Sequence, residues 1–314
     1  MRASSYAELD HWRAYQPYLP PAWRLEGDRI PDERWWRYDD IEVHLDELAA
    51  DDPQATVIML HGGGGNGRIL MCAAPLLREH GCSVVAPDLP GYGLTRVPPR
   101  HRLTYNLWAD IAARLASELA RERRHPVLVF GLSLGGLLAY GTAARSRDVA
   151  GVIATTLADT RRPEVLAAIS RLPLPGRISS AILRATPPAL HGARLPIRWL
   201  SPMHLITNSP ALSDVFVRDP LAGGSRVSIG FLRSLVEFDV RLEPEHFDRC
   251  PVLCPHPAAD PWTPAKLSRP FFDRIAGPKR WVDLEGCGHF PYEEPGAGRL
   301  VKAVHHFIDE LSSR

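Results

Sequence analysis

Gly131-Leu132-Ser133-Leu134-Gly135-Gly136 follows the apolar run Pro126-Val127-Leu128-Val129-Phe130 and precedes Leu137-Leu138-Ala139-Tyr140, where a helical pattern begins. A buried strand ends, turns sharply at a serine and feeds a helix. In that setting G-x-S-x-G acts as a nucleophile elbow. Side chains two positions either side of the serine would strike neighbouring backbone in so tight a turn, and Gly131 and Gly135 remove them. The Ser133 hydroxyl is expected above the sheet edge. N–H groups at the helix start, including that of Leu134, would face any negative charge developing beside it. An ordinary serine in a glycine-softened loop gives the same string, so the motif needs partners elsewhere in the chain.

Outward from the elbow the chain alternates strands and helices. Ala55–Leu60 and Ser83–Pro87 are predicted strands. The first ends in His61-Gly62-Gly63-Gly64-Gly65-Asn66 and the second in Asp88-Leu89-Pro90-Gly91-Tyr92-Gly93. Helices are expected near Arg68–His80 and over Tyr105–Glu122, where Leu107, Ile111, Leu115 and Leu119 recur at helical spacing. Val149–Thr156 reads as a strand. Upstream, residues 1–33 read as a polar lead-in with a short helix near Tyr6–Ala14, and Trp35 to Leu45 as an antiparallel hairpin. Alternation stops after Asp159. From Arg161 to about Asp248 the sequence is helical but broken by prolines, among them Pro173, Pro175, Pro187, Pro188, Pro196 and Pro202. It resumes with a strand at Pro251–Cys254, a helix near Ala265–Ile275, a strand at Arg280–Leu284 and a last helix over Ala297–Leu311. The expected fold class is α/β, a mostly parallel central sheet with helices on both faces. Residues 1–160 and 249–314 form its core domain and 161–248 an inserted helical cap.

A serine nucleophile needs a base, and the base an orienting acid. Asp260 stands in the turn His256-Pro257-Ala258-Ala259-Asp260-Pro261-Trp262-Thr263-Pro264, and His289 in Gly286-Cys287-Gly288-His289-Phe290-Pro291. Asp260 follows a core strand and His289 follows the last strand, so both are expected at the carboxyl edge that also carries Ser133.

The bulk numbers agree with a soluble globular protein of 314 residues and net charge +1. No basic run suggests a nucleic-acid partner, and no apolar run reaches bilayer-spanning length. Met1–Asp10 has no apolar h-region, so a cytoplasmic protein is expected. The five cysteines, at 72, 82, 250, 254 and 287, form no C-x-x-C pair and read as reduced core thiols. Neither metal nor cofactor is expected. The glycine run 62–65 lacks the lysine and hydroxyl of a phosphate-binding P-loop. Nothing in the sequence bears on oligomeric state.

Together the His61-Gly62-Gly63 loop, the Asp88 turn, the elbow, the Asp260 turn and the Gly288-His289 turn resemble the α/β-hydrolase superfamily, in its capped carboxylesterase and monoacylglycerol lipase-like branch. The resemblance runs from the hairpin near Trp35 to the last helix. It implies Ser133 as nucleophile, His289 as general base and acid, and Asp260 as the acid that orients it. It also implies an oxyanion hole of the Gly63 and Leu134 N–H groups, with Gly64 as substitute for Gly63. The implied reaction is hydrolysis of a small-molecule carboxylic ester; thioester, amide, lactone or carbon–carbon bonds are alternatives on the same residues, and a ligand receptor on the same fold is another. Two departures stand out: Pro257 where many relatives carry glycine three residues before the acid, and Leu132 where many carry histidine before the nucleophile.

Blander roles fit other residues. Asp159 is a second position for the acid, though turn capping suits it better. His61 reads as structural, Asn66 as a helix cap, Asp88 as the support of its turn and His256 as a strand-end residue. His305 and His306 read as solvated. Arg161, Arg162, Arg171, Arg177 and Arg184 form either a solvated face or an attraction for an anionic acyl group. Leu166, Ile169, Leu172, Ile178, Ile182 and Leu183 between them could line an apolar acyl pocket.

Overall fold

The structure is a computed structural model that describes residues 3–172 and 174–312, so Pro173 lies outside the described residues. Ten strands follow in chain order: β1 (Asp32–Tyr38), β2 (Ile41–Leu48), β3 (Ala55–Leu60), β4 (Cys82–Pro87), β5 (Val127–Gly131), β6 (Val149–Ala154), β7 (Arg194–Pro196), β8 (Arg226–Ser228), β9 (Val252–Pro257) and β10 (Lys279–Leu284). Eight of them make one sheet in the order β1-β2-β4-β3-β5-β6-β9-β10. β1 and β2 pair antiparallel, and β2 lies antiparallel to β4. From β4 to β10 every pairing is parallel. Every residue of β3, β4, β5 and β9 is buried, which explains their near-continuous apolar runs: helices cover both faces of the sheet there.

The helix Tyr105–Arg123 starts where the Thr104 hydroxyl accepts the Leu107 N–H and ends at Arg124 in the left-handed region. Its Ile111, Leu115 and Leu119 are buried, as their spacing requires. Other predicted helices are shorter than expected. Arg68–His80 arrives in three pieces, Gly67–Leu70, a 3-10 turn at Met71–Ala73 and Ala74–Glu79. Pro75 has no N–H to give, and its ring obstructs the carbonyl four residues back, so a helix can begin there but not run through. Ala265–Ile275 shrinks to a 3-10 turn and Arg269–Phe272 around Pro270. The lead-in helix becomes the 3-10 turns Tyr6–Glu8 and His11–Tyr18.

Between β6 and β9 the chain forms helices at Pro163–Ile169, Gly176–Ala185, Pro210–Arg218 and Ile229–Val236, with shorter turns between. It also forms the antiparallel pair β7–β8, where helix alone was expected. Three residues a side are too few for an alternating pattern to register in sequence. All five cysteines are buried and free. No helix among the described residues is long and apolar enough to cross a membrane.

Candidate active site

The turn after β5 is built as its glycines require. A Cβ on Gly131 would lie 1.7 Å from the Gly135 carbonyl oxygen, and one on Gly135 2.0 Å from that of Leu60. Strand, turn and helix therefore meet backbone to backbone. Ser133 itself sits at φ 59°, ψ −128°, a conformation costing a non-glycine residue about 1–3 kcal/mol. Its surroundings hold it there. The Ser133 N–H reaches Thr155 Oγ1 at 3.3 Å, and the Thr156 hydroxyl donates to the Ser133 carbonyl at 2.8 Å.

Parallel pairing of β5, β6, β9 and β10 brings the following turns to one edge. His289 Nε2 lies 2.7 Å from Ser133 Oγ, and its Nδ1 lies 2.7 Å from Asp260 Oδ2. The imidazole is fully buried. Burial alone would raise the Asp260 pKa. The His289 contact and the Thr263 donors outweigh it and hold the carboxyl well below the usual carboxylate range. Trp262 and Thr263 give their N–H groups to Asp260 Oδ1, and the Thr263 hydroxyl donates to Oδ2 at 2.6 Å while standing 3.1 Å from His289 Nδ1. Pro257 leaves this turn intact. The His289 turn is clasped from outside: Gly288 and Asn208 both donate backbone N–H groups to Glu293, and the Phe290 N–H bonds the Ile206 carbonyl.

The remaining candidates take supporting positions. The His61 ring gives Nδ1–H to the Gly62 carbonyl and accepts the Leu89 N–H at Nε2. Burial lowers its pKa, which keeps it neutral. Asn66 caps Ile69. Asp88 accepts the N–H groups of Gly67 and Leu94. Asp159 is held by Arg161, far from any role as acid, and Arg161 also pairs with Glu243. His256 is buried, bonds the Pro257 carbonyl and stacks on Trp281 at 5.0 Å. His305, expected in solvent, is half-buried and stacks on His80 at 3.8 Å.

A cavity of about 280 Å³ opens above Ser133, walled by the segment between β6 and β9. Leu166, Ile169, Leu172, Ile182 and Leu183 line it, but Ile178 does not. None of the five arginines lines it, so an anionic acyl group has no guanidinium to meet inside. A second cavity of about 40 Å³ lies across the nucleophile, bordered by Leu132, Ile206, Phe290 and, from the lead-in, Tyr15 and Leu19. Gly63 and Ser133 border both cavities; Gly64 borders neither.

Sequence reasoning missed Thr263, although it stood in the quoted turn. A hydroxyl three residues after an acid is a common turn companion and carries no signal of its own. It also missed the lead-in as a wall of the site.

Residues 57–299 match the alpha/beta hydrolase family. A pimeloyl-[acyl-carrier protein] methyl ester esterase of Sodalis glossinidius is 27% identical over 248 residues, spanning 75% of this chain and 87% of that protein. Phospholipase YtpA of Bacillus subtilis is 23% identical over 83% of this chain and 97% of its own. The crystal structure of a Paleococcus ferrophilus monoacylglycerol lipase superposes with a TM-score of 0.69 at 24% identity, covering 86% of this chain and 99% of the other.

Proposed function

The chain belongs to the alpha/beta hydrolase family, and from that premise we propose that it hydrolyses carboxylic esters through an acyl-enzyme on Ser133. The observation that carries this reading is the unbroken bond path Asp260–His289–Ser133, 2.7 Å at each step, at the floor of an apolar cavity. The esterase and the phospholipase among its relatives support the ester bond.

His289 Nε2 takes the Ser133 proton as Oγ attacks the acyl carbon. The carbonyl oxygen gains negative charge and turns to the N–H groups of Leu134 and Gly63, each such donor contributing about 3 kcal/mol to the barrier reduction. Gly63 rather than Gly64 serves because it borders the space above the nucleophile. The imidazolium, stabilised by ionised Asp260, then protonates the leaving alkoxide, and water repeats the sequence to free the acid. Residues 161–248 act as the cap that excludes water and selects the substrate, over a core of residues 1–160 and 249–314. The lining favours an uncharged, apolar arm.

Turnover of p-nitrophenyl esters of graded acyl length tests this reading. Hydrolysis should persist in the wild type and vanish in Ser133→Ala with the fold retained. Equal turnover by both proteins rejects it. Thioester, amide and lactone analogues in the same panel compare the alternative bonds by kcat/KM.

A further inference from the structure

The cap turns an unusual face to water around the mouth of the cavity above Ser133. Trp199 is 60% exposed and Ile182 54%. Ile178, one helical turn before Ile182, and Leu172 are each 47% exposed. Leu172 and Trp199 come from separate pieces of chain that lie side by side. The Arg171 N–H bonds the Leu200 carbonyl at 2.7 Å, and the Arg171 guanidinium bonds the Arg198 carbonyl at 3.0 Å. Leu172 and Ile182 also line the cavity, so the apolar face runs without a break into its entrance. Exposed apolar surface on this scale, rimmed by polar groups, marks an interaction site.

Charge says what the face meets. Residues 165–213 contain five arginines, Arg171, Arg177, Arg184, Arg194 and Arg198, and neither aspartate nor glutamate. Arg171, Arg177 and Arg198 are exposed. None of the three lies within ion-pair distance of a carboxylate among the described residues; Glu164 feels Arg177 only through space. Arg184 is tied to the Val236 carbonyl and is left out. Arg161, at the other end of the segment, is by contrast neutralised by Asp159 and Glu243.

We propose that this face docks on an anionic lipid surface, with Trp199, Ile178 and Ile182 entering the headgroup boundary and Arg171, Arg177 and Arg198 meeting lipid phosphates. Bulky apolar side chains spread over short elements suit a fluid apolar phase better than the fixed surface of an acidic protein. An ester drawn from the bilayer would then pass its apolar arm into the cavity without crossing water. The inference goes beyond the reaction, and its readout is binding.

Co-sedimentation of the full-length protein with vesicles tests it. The protein should partition onto phosphatidylcholine vesicles containing phosphatidylglycerol, and much less onto phosphatidylcholine alone; high salt should remove the difference. Ser133→Ala should bind as the wild type does, which separates this outcome from the fate of the ester hydrolase reading. Ile178→Ser with Trp199→Ser, neither lining the cavity, should lower partition at least about tenfold. Arg177→Ala with Arg198→Ala should lower it about fivefold per arginine on the anionic vesicles only. Four results would overturn the proposal: no partition onto anionic vesicles, equal partition onto both kinds, apolar-face and arginine variants that bind like the wild type, or a stable dimer that buries Trp199 and leaves vesicles unbound.

Discussion

His44 and His289 are both buried and both touch carboxylates, at opposite ends of the same sheet. His44 Nε2 lies 2.8 Å from Glu33, and its Nδ1 lies 3.2 Å from Asp88 but out of line for a hydrogen bond. Beside it Arg68 grips Asp46 through two bonds of 2.8 and 2.7 Å and reaches Glu33 at 3.2 Å. Its guanidinium also lies over the rings of Tyr6 and Trp12. Ligand atoms of Glu33, His44 and Asp46 come within 4.8 Å of one another, as around a metal, but the Arg68 cation already meets that charge. His289 instead has one carboxylate, one hydroxyl and a cavity in front of it. The contrast teaches that an acid–histidine pair is not reactive by itself. Enclosed by carboxylates, the imidazole stays a cation that holds the lead-in to the sheet. On the proposed reading, an imidazole between one carboxylate and a hydroxyl on a strained turn has a proton to take and a leaving group to give it to.

The comparison can be broken most severely at Ser133. Ser133→Ala should lower kcat about a millionfold while the thermal midpoint stays near the wild type; a loss of folding instead would make the serine structural, like His44. Asp260→Asn should cost about four orders of magnitude in kcat by presenting the wrong tautomer, readable with any substrate the wild type turns over. Arg68→Ala should do the reverse. It leaves buried Asp46 without its cation, destabilising by about 3–5 kcal/mol in denaturant titration, with kcat per folded molecule unchanged.

A smaller effect comes from pH. Burial alone would lower the His44 pKa, but the Asp88 and Glu33 carboxylates raise it to about 9. The folded state therefore holds this proton more tightly than the unfolded chain. The resulting stability is fully present below about pH 6.5 and fades as pH rises through 9, amounting to about 3 kcal/mol across that window. His44→Gln should flatten the stability profile between those limits; an unchanged slope would contradict the assignment. The smallest effect is at Thr263. Thr263→Val removes one hydrogen bond to Asp260 and should lower kcat about tenfold with KM held, and Thr263→Ser should restore it.

The same contrast explains what the sequence made legible. Ser133 and Asp260 sit just past the buried strands β5 and β9, and His289 follows the edge strand β10, so strand order alone predicts a shared edge, and the structure brings their side chains within bonding distance. The elbow was readable because Gly131 answers a collision with the local backbone of Gly135, although Gly135 itself makes room for the distant Leu60 carbonyl of β3. The His44 cluster was not. Its members come from the lead-in, β1, β2, the short helix after β3 and the turn after β4, and each looks unremarkable in its own segment. Tyr6 bonding Asp88 across 82 residues has no local signature. The segment between β6 and β9 was legible as proline-broken helix but not as the site of β7 and β8, and its arginines looked like one group until Arg161 and Arg184 proved to be spoken for by neighbours.

Fluorophosphonate labelling followed by peptide mass spectrometry addresses the central claim most directly, because the probe reacts with a serine only when a base has activated it. The account predicts one adduct, on the peptide carrying Ser133, formed far more slowly in His289→Ala. No adduct on folded protein, or an adduct on a different serine, would contradict it.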